Sequence, residues 1–244
     1  MYFCRSFAKK KTQDKMDDYK LHVIARIHSD FPSKFGIPRQ SGLVDELRAT
    51  IVFEPEYRNA DALRGLEEFS HIWLIWSFSE NRRDSWSPTV RPPRLGGNTR
   101  MGVFATRSSF RPNALGLSSV RLLGIEHHPL WGTTLTVAGA DLMDGTPIFD
   151  IKPYLLTTDC HPEATKGFTA LNANYALNVE IPEKLKHRIP ADKIDALRAI
   201  LAQDPRPAYQ HDDSREYKFA FANLEITFTV KNNTATLLNI SKTT

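Results

Sequence analysis

Residues 21–28 read LHVIARIH, with apolar and polar side chains alternating along the chain. That period of two marks a strand with one buried and one wetted face, and the following 31–36 (FPSKFG) reads as a loop. Segments of similar character recur at 49–53, 71–78, 101–106, 118–125, 133–142 and 147–154. Seven short strands argue for a barrel or a sandwich. One helix is expected over 59–69 or 61–69, where Leu63, Leu66 and Phe69 share a face and Asn59 can cap.

After Pro153 the pattern changes. An irregular stretch carries Cys160, Pro162 and Gly167, and a helix is expected over 191–202, with Ile194, Leu197 and Leu201 on one face. Strands are expected at 217–221, 224–230 and 235–240, and Asn232 and Asn233 suit the positive φ angles of a tight hairpin. The reading is therefore a disordered leader at 1–19, a β-rich domain at 20–155 and a small α+β domain at 156–244.

Composition sets bounds rather than answers. The 244 residues are 41% apolar and 25% charged, ordinary for a chain that folds. A net charge of +4 and a pI near 9.0 are compatible with a polyanionic partner without requiring one. Fifteen prolines against twelve glycines fit many turns and short strands better than a helical bundle. Two cysteines give neither a disulfide framework nor zinc-ligand spacing and fit a reducing cytoplasm. The leader holds Lys9, Lys10 and Lys11 but no apolar run of signal-peptide or membrane-spanning length, so no membrane association is expected.

Four clusters carry chemistry. The densest, 91–116 (RPPRLGGNTRMGVFATRSSFRPNALG), sets Arg91, Arg94, Arg100, Arg107 and Arg111 among prolines and glycines. Five guanidinium groups there need carboxylates, phosphates or water; RNA binding and a solvated loop both satisfy them. The second, IPRQSG at 37–42, stiffens Arg39 and Gln40 behind Pro38 and is a ligand loop or a turn. In DLMDGTPIFDIK at 141–152, Asp141, Asp144 and Asp150 surround an Asp-Gly turn, which taken alone is a hairpin corner. In LAQDPRPAY at 201–209, Asp204, Arg206 and Tyr209 follow a helix stopped by Pro205.

Several chemistries are absent. No G-x-G-x-x-G follows a strand, and Gly97 to Gly102 lacks the lysine of a P-loop, which disfavours a doubly wound methyltransferase fold. No H-E-x-x-H and no His/Cys spacing suits a metal, so none is expected. No G-x-S-x-G turn is present, and Ser108 and Ser109 have no base nearby in sequence.

Taken together, PRQ at 38–40, RPPRLGGN at 91–98, GVFATRSSFRPN at 102–113, DGTPIFDIKPY at 144–154 and LAQDPRPAY at 201–209 resemble, in order, the TrmO (YaeB) family of tRNA N6-methyltransferases. The resemblance runs from about 21 to 240. It implies a mainly β protein, a single-sheeted β-barrel with a small C-terminal domain, and a cytoplasmic homodimer. It also implies methyl transfer from S-adenosylmethionine (SAM) to N6 of threonylcarbamoyladenosine beside the tRNA anticodon. Carried over by motif, the cofactor pocket would be lined by Pro38, Arg39, Gln40, Arg107, Leu117, Gly145, Thr146, Pro147 and Ile148. The family commonly has a His-Gln pair where this chain has Ser79 and Glu80, and RPNPIG where it has RPNALG. Asp144, with Asp141 in reserve, is the candidate general base, because a carboxylate beside the cofactor loop can take the acceptor proton. Arg94, Arg100 and Arg111 are the candidate RNA contacts. The competing reading is a non-catalytic RNA-binding barrel using the same arginines.

Overall fold

In the computed structural model, residues 19–81, 85–92, 95, 99–172, 175–206 and 212–243 are described. The alternation that opens the chain is realised in β1 (Ala25–His28), where Ala25 and Ile27 are fully buried and Arg26 and His28 face solvent. Pairing begins one residue earlier: Ile24 N–H donates to Ile148 O, and its carbonyl accepts from Glu54 N, both at 2.9 Å. β2 (Arg48–Phe53) and β3 (His71–Ser77) follow. A two-stranded ribbon, β4 (Thr89–Val90) with β5 (Met101–Gly102), then precedes the long β6 (Leu115–His128), β7 (Gly132–Ala138) and β8 (Pro147–Pro153).

Six of these strands close into a ring in the order β1-β2-β7-β6-β3-β8, with β8 returning to pair with β1 and every neighbour antiparallel. Closure leaves no ring strand with a free edge. The inward faces supply one core, in which Ile27, Ile51, Ile72, Leu74, Leu135 and Ile148 are completely buried. The chain is mainly β, as expected.

Beyond the ring lie two short helices, α1 (Leu156–Asp159) and α2 (Glu183–Lys186), and the strand β9 (Asn178–Glu180), none of them anticipated. The longer α3 (Ile194–Ala202) and β10 (Tyr217–Phe221), β11 (Leu224–Lys231) and β12 (Thr234–Lys242) complete the second sheet, in the order β10-β11-β12-β9, with β9 parallel to β12. Asn232 and Asn233 take φ values of 49° and 57°, as a tight hairpin requires.

The second core is not built from the C-terminal sequence alone. Phe31, Val44 and Leu47, from the connection between β1 and β2, pack with Leu197, Ile200, Phe221 and Phe228. Gly36 allows that seating: a Cβ there would lie 2.4 Å from Phe219 Cδ2, and its φ is +95°.

Several local expectations need correction. The helix expected over 59–69 is two 3-10 turns, Ala60–Leu63 and Leu66–Glu68, split at Gly65, whose φ of 84° ends the first. Asn59 does cap, accepting from Asp61 N at 3.0 Å. The strand expected over 101–106 stops at Gly102 and becomes a 3-10 turn, Val103–Ala105, and the helix expected over 191–202 opens with another, Ala191–Lys193.

Candidate active site

At one end of the ring, four segments distant in sequence enclose a cavity of about 790 Å³, within the range of small-molecule sites. The connection after β1 contributes Lys34, Ile37, Pro38, Arg39 and Gln40, and the end of β3 contributes Trp76 through Glu80. The arginine-rich stretch contributes Phe104, Thr106, Arg107 and Arg111, and the link from β7 to β8 contributes Asp141, Met143 and Thr146. Leu117, on β6, completes the wall and is half-exposed.

A hydrogen-bonded chain runs behind the cavity to its carboxylate. Trp76 Nε1 donates to Ser118 Oγ at 3.0 Å, and Ser118 Oγ donates to Asp141 Oδ1 at 2.6 Å. Burial pushes the Asp141 carboxyl above its ordinary range, opposed by the Ser118 bond, by the backbone amides of Asp141 and Ser41, and by the Arg107 charge. Gly116 makes room for this arrangement: it pairs with Trp76 across β6 and β3, and a Cβ there would lie 2.2 Å from Trp76 Cε2.

Side-chain hydroxyls shape the arginine loop. Thr106 Oγ1 donates to Val103 O at 2.9 Å and accepts from Ser108 N at 3.3 Å, while Ser108 Oγ accepts from Phe110 N at 3.2 Å. Arg111 Nη1 donates to Thr106 O at 3.2 Å, and Arg107 Nη1 to Gln40 Oε1, tying two walls together. Lys34 Nζ donates to Glu80 O at 2.8 Å.

Arg39 lines the cavity and is tied to the 201–209 motif. Its Nη2 donates to Asp204 O at 3.1 Å and Arg206 O at 3.4 Å. Asp204 and Arg206 form a buried bidentate pair at 2.8 and 2.9 Å, and Tyr175 Oη donates to Asp204 at 2.9 Å. Burial raises the Asp204 carboxyl, but the bonds from Arg206 and Tyr175 prevail and hold it below its ordinary range. The 201–209 motif is thus a clamp for the cavity loop as well as a helix stop; Tyr209 lies outside the described residues.

Of the residues singled out in the sequence, Pro38, Arg39, Gln40, Ser79, Glu80, Arg107, Arg111, Leu117, Asp141 and Thr146 meet at this cavity. Five others, Gly145, Pro147, Ile148, Asp144 and Arg100, lie elsewhere among the described residues. Ile148 is wholly buried in the ring core, and Gly145 and Pro147 face β1, where Gly145 N donates to Ile27 O at 2.8 Å. Asp144, expected at the mouth, turns away: its Oδ1 accepts from Ser29 N at 3.1 Å and lies 3.3 Å from His28 Nδ1. Arg100 is exposed and off the cavity, and Arg94 falls outside the described residues. Trp76, Phe78, Phe104 and Lys34 were not anticipated. The alternation of 71–78 places Trp76 on the face shared by Ile72 and Leu74, a signal that stops short of the cavity.

Among the described residues no three His, Cys, Asp or Glu side chains are grouped to hold a metal ion, and no helix is long and apolar enough to cross a membrane.

Comparison with known proteins fits this geometry. The family model of the tRNA-methyltransferase O N-terminal domain matches residues 26–160, and that of the TrmO C-terminal domain matches 175–243. The tRNA (adenine(37)-N6)-methyltransferase of Escherichia coli K12 is 41% identical over 212 residues, covering 84% of this chain and 89% of that protein. A Pseudomonas aeruginosa protein, provisionally described as an S-adenosylmethionine-dependent methyltransferase, is 40% identical over 216 residues, covering 85% of this chain and 91% of its own. A crystal structure of TrmO from Pseudomonas aeruginosa superposes with a TM-score of 0.74 at 31% identity, covering 92% of this chain and all of that one.

Proposed function

The chain belongs to the tRNA-methyltransferase O family, and on that premise we propose that it transfers a methyl group from SAM to N6 of adenosine 37 in tRNA, where that base is threonylcarbamoyladenosine. The observation that carries this reading is the convergence of the 38–40, 102–113 and 141–146 motifs on one cavity with a carboxylate in its wall. We read the strand ring as the single-sheeted barrel of that family, and the chain as 20–155 and 156–244; the leader expected at 1–19 lies, Tyr19 apart, outside the described residues. Two distinct buried clusters support a two-part division, the second taking Phe31, Val44 and Leu47 from the first part. A cytoplasmic homodimer is the assembly the family resemblance implies.

The residues present fit the cofactor. Apolar walls from Ile37, Trp76 and Phe78 suit an aromatic base, and a largely buried carboxylate suits a cationic sulfonium or ammonium. Bound SAM supplies an electrophilic methyl on a sulfonium leaving group. The protein must then hold donor and acceptor in line, an orientation effect worth on the order of 7–11 kcal/mol in the best intramolecular cases.

Asp141 replaces Asp144 as the favoured base. It lines the cavity, and its raised pKa makes it the stronger proton acceptor once ionised, whereas Asp144 is engaged with Ser29 and His28. Asp141 would take up the proton of the acceptor nitrogen as the methyl group passes from sulfur to that nitrogen, the methyl–sulfur bond breaking to leave a neutral thioether. Arg107 and Arg111 at the rim meet phosphates or the threonyl carboxylate, and the exposed Arg100, just before β5, is a further candidate contact; Arg94 lies outside the described residues. Gln40, Ser79, Glu80, Leu117 and Thr146 bound the cofactor space, and Arg39 holds the wall that carries Pro38.

The deciding experiment incubates the protein with labelled SAM and tRNA either carrying or lacking threonylcarbamoyladenosine, then analyses nucleosides by mass spectrometry. Label on the threonylcarbamoylated nucleoside is expected. Label on unmodified adenosine overturns the substrate assignment, and RNA binding without SAM binding returns the chain to a non-catalytic RNA-binding role.

A further inference from the structure

Beside the cavity, two large aromatic side chains stand in solvent. Trp86 is 51% exposed and Phe104 is 72% exposed, yet their rings stack on each other with centroids 6.2 Å apart and planes 30° apart. They flank the β4–β5 ribbon, which Val103 N fastens by donating to Pro88 O at 2.9 Å and whose Val103 side chain is buried. One side of the ribbon is therefore anchored, while the aromatic pair projects from it. Phe104 lines the cavity rim and Trp86 lies beyond it, so the pair leads from the rim outward.

Charge identifies the occupant. Residues 85–113 contain five arginines and no Asp or Glu, and Arg91, Arg100 and Arg107 are exposed. Aromatic faces beside a run of exposed cations suit a ligand that alternates flat rings with anions, which is the chemistry of an unpaired RNA strand. A partner protein of ordinary composition would leave most of those cations unmatched.

We propose that Trp86 and Phe104 form a stacking platform for an unpaired base of the RNA substrate, next to the base that enters the cavity. The inference rests on the tRNA reading above. Stacking on the platform would replace the neighbour that the target base loses when it leaves its stack, while Arg107 and Arg111 hold the intervening backbone.

The test is steady-state methylation by the full chain carrying Trp86→Ala, with SAM affinity measured by calorimetry. The KM for tRNA should rise about five-fold or more, with kcat and SAM affinity little changed, and Trp86→Phe should recover most of the loss. Phe104→Ala should raise the same KM. In a parallel titration with an anticodon stem-loop RNA, intrinsic fluorescence should quench in the wild type and much less in Trp86→Phe. An unchanged KM in Trp86→Ala, beside an active wild type, overturns the platform and leaves the methyltransferase reading standing. Loss of self-association with an unchanged KM also overturns it, by assigning the pair to a second copy. A wild type without methyl transfer refutes the activity itself, and equal quenching in both proteins then refutes the platform independently.

Discussion

Substituting Gly116→Ala tests whether the wall of the cavity is built as tightly as its geometry implies. The new Cβ would lie 2.2, 2.4 and 2.5 Å from three ring atoms of Trp76. To restore ordinary contact near 3.4 Å the indole must retreat by about 1.2 Å, an overpacking that costs about 1–3 kcal/mol in well-packed interiors. Trp76 is 8% exposed, and the space open to it is the cavity that it lines. That movement also breaks the 3.0 Å bond to Ser118, worth about 0.5–1.5 kcal/mol. For a chain of this length the combined loss should lower Tm by roughly 3–18 °C. Calorimetric unfolding and SAM titration measure the two consequences, destabilisation and loss of SAM affinity as Ser118 and Asp141 lose their fixed positions. Gly124→Ala, on the same strand, is the control: its Cβ would meet nothing closer than Glu126 Oε1 at 3.6 Å, so Tm should hold or rise. A Gly116→Ala protein with wild-type Tm and SAM affinity would refute the reasoning.

Three further outcomes follow from the same geometry. Asp141→Asn should lower the single-turnover rate by about 10²-fold or more while leaving Tm at neutral pH unchanged or higher, because desolvation opposes the carboxylate's charge in the fold. Since the raised pKa means that the native state binds this proton more tightly than the unfolded chain, wild type should gain stability relative to the variant as pH falls through the raised value toward the unfolded one; denaturant titrations from pH 7 to 4 check the sign. Asp144→Asn should methylate at close to the wild-type rate across pH 6 to 9, because an amide oxygen can still accept from Ser29 N; a large rate loss would return Asp144 to the role of base. Arg206→Ala should destabilise by about 3–5 kcal/mol, read from denaturant midpoints. Because Asp204 is held below its ordinary range, the pair's contribution in wild type should be full above the unfolded carboxylate pKa and fade as pH falls through the lowered one.

Much of the strand content is legible in the alternation of 21–28, 71–78 and 217–221, because burial on one face imposes that period directly. Closure is not legible: the pairing of β8 with β1 joins Ala25 to Ile148, and no local pattern encodes a contact that remote. The Asp-Gly turn illustrates the same division at the site. Asp141 and Asp144 are three residues apart on one motif, and only the tertiary path decides that the first lines the cavity while the second reaches back to Ser29. Arg39 is similar: Pro38 marks a stiff loop, but its guanidinium acceptors, the carbonyls of Asp204 and Arg206, lie 165 and 167 residues further along the chain. Over 59–69 the apolar spacing of Leu63, Leu66 and Phe69 suggests one helix, but Gly65 at positive φ divides the segment into two 3-10 turns.

The seating of Phe31, Val44 and Leu47 in the second core has a consequence for cutting the chain. A fragment ending near residue 155 would carry these three side chains into water, and a fragment beginning there would keep a hole of their shape beside Phe221. Neither piece should behave as an independent module. The loop that bears them also bears Pro38 and Gln40, so the cavity wall keeps its shape only while the far sheet is folded. A ligand that tightens the cavity should therefore protect backbone amides in β10 and β11 from hydrogen exchange, although neither strand lines it.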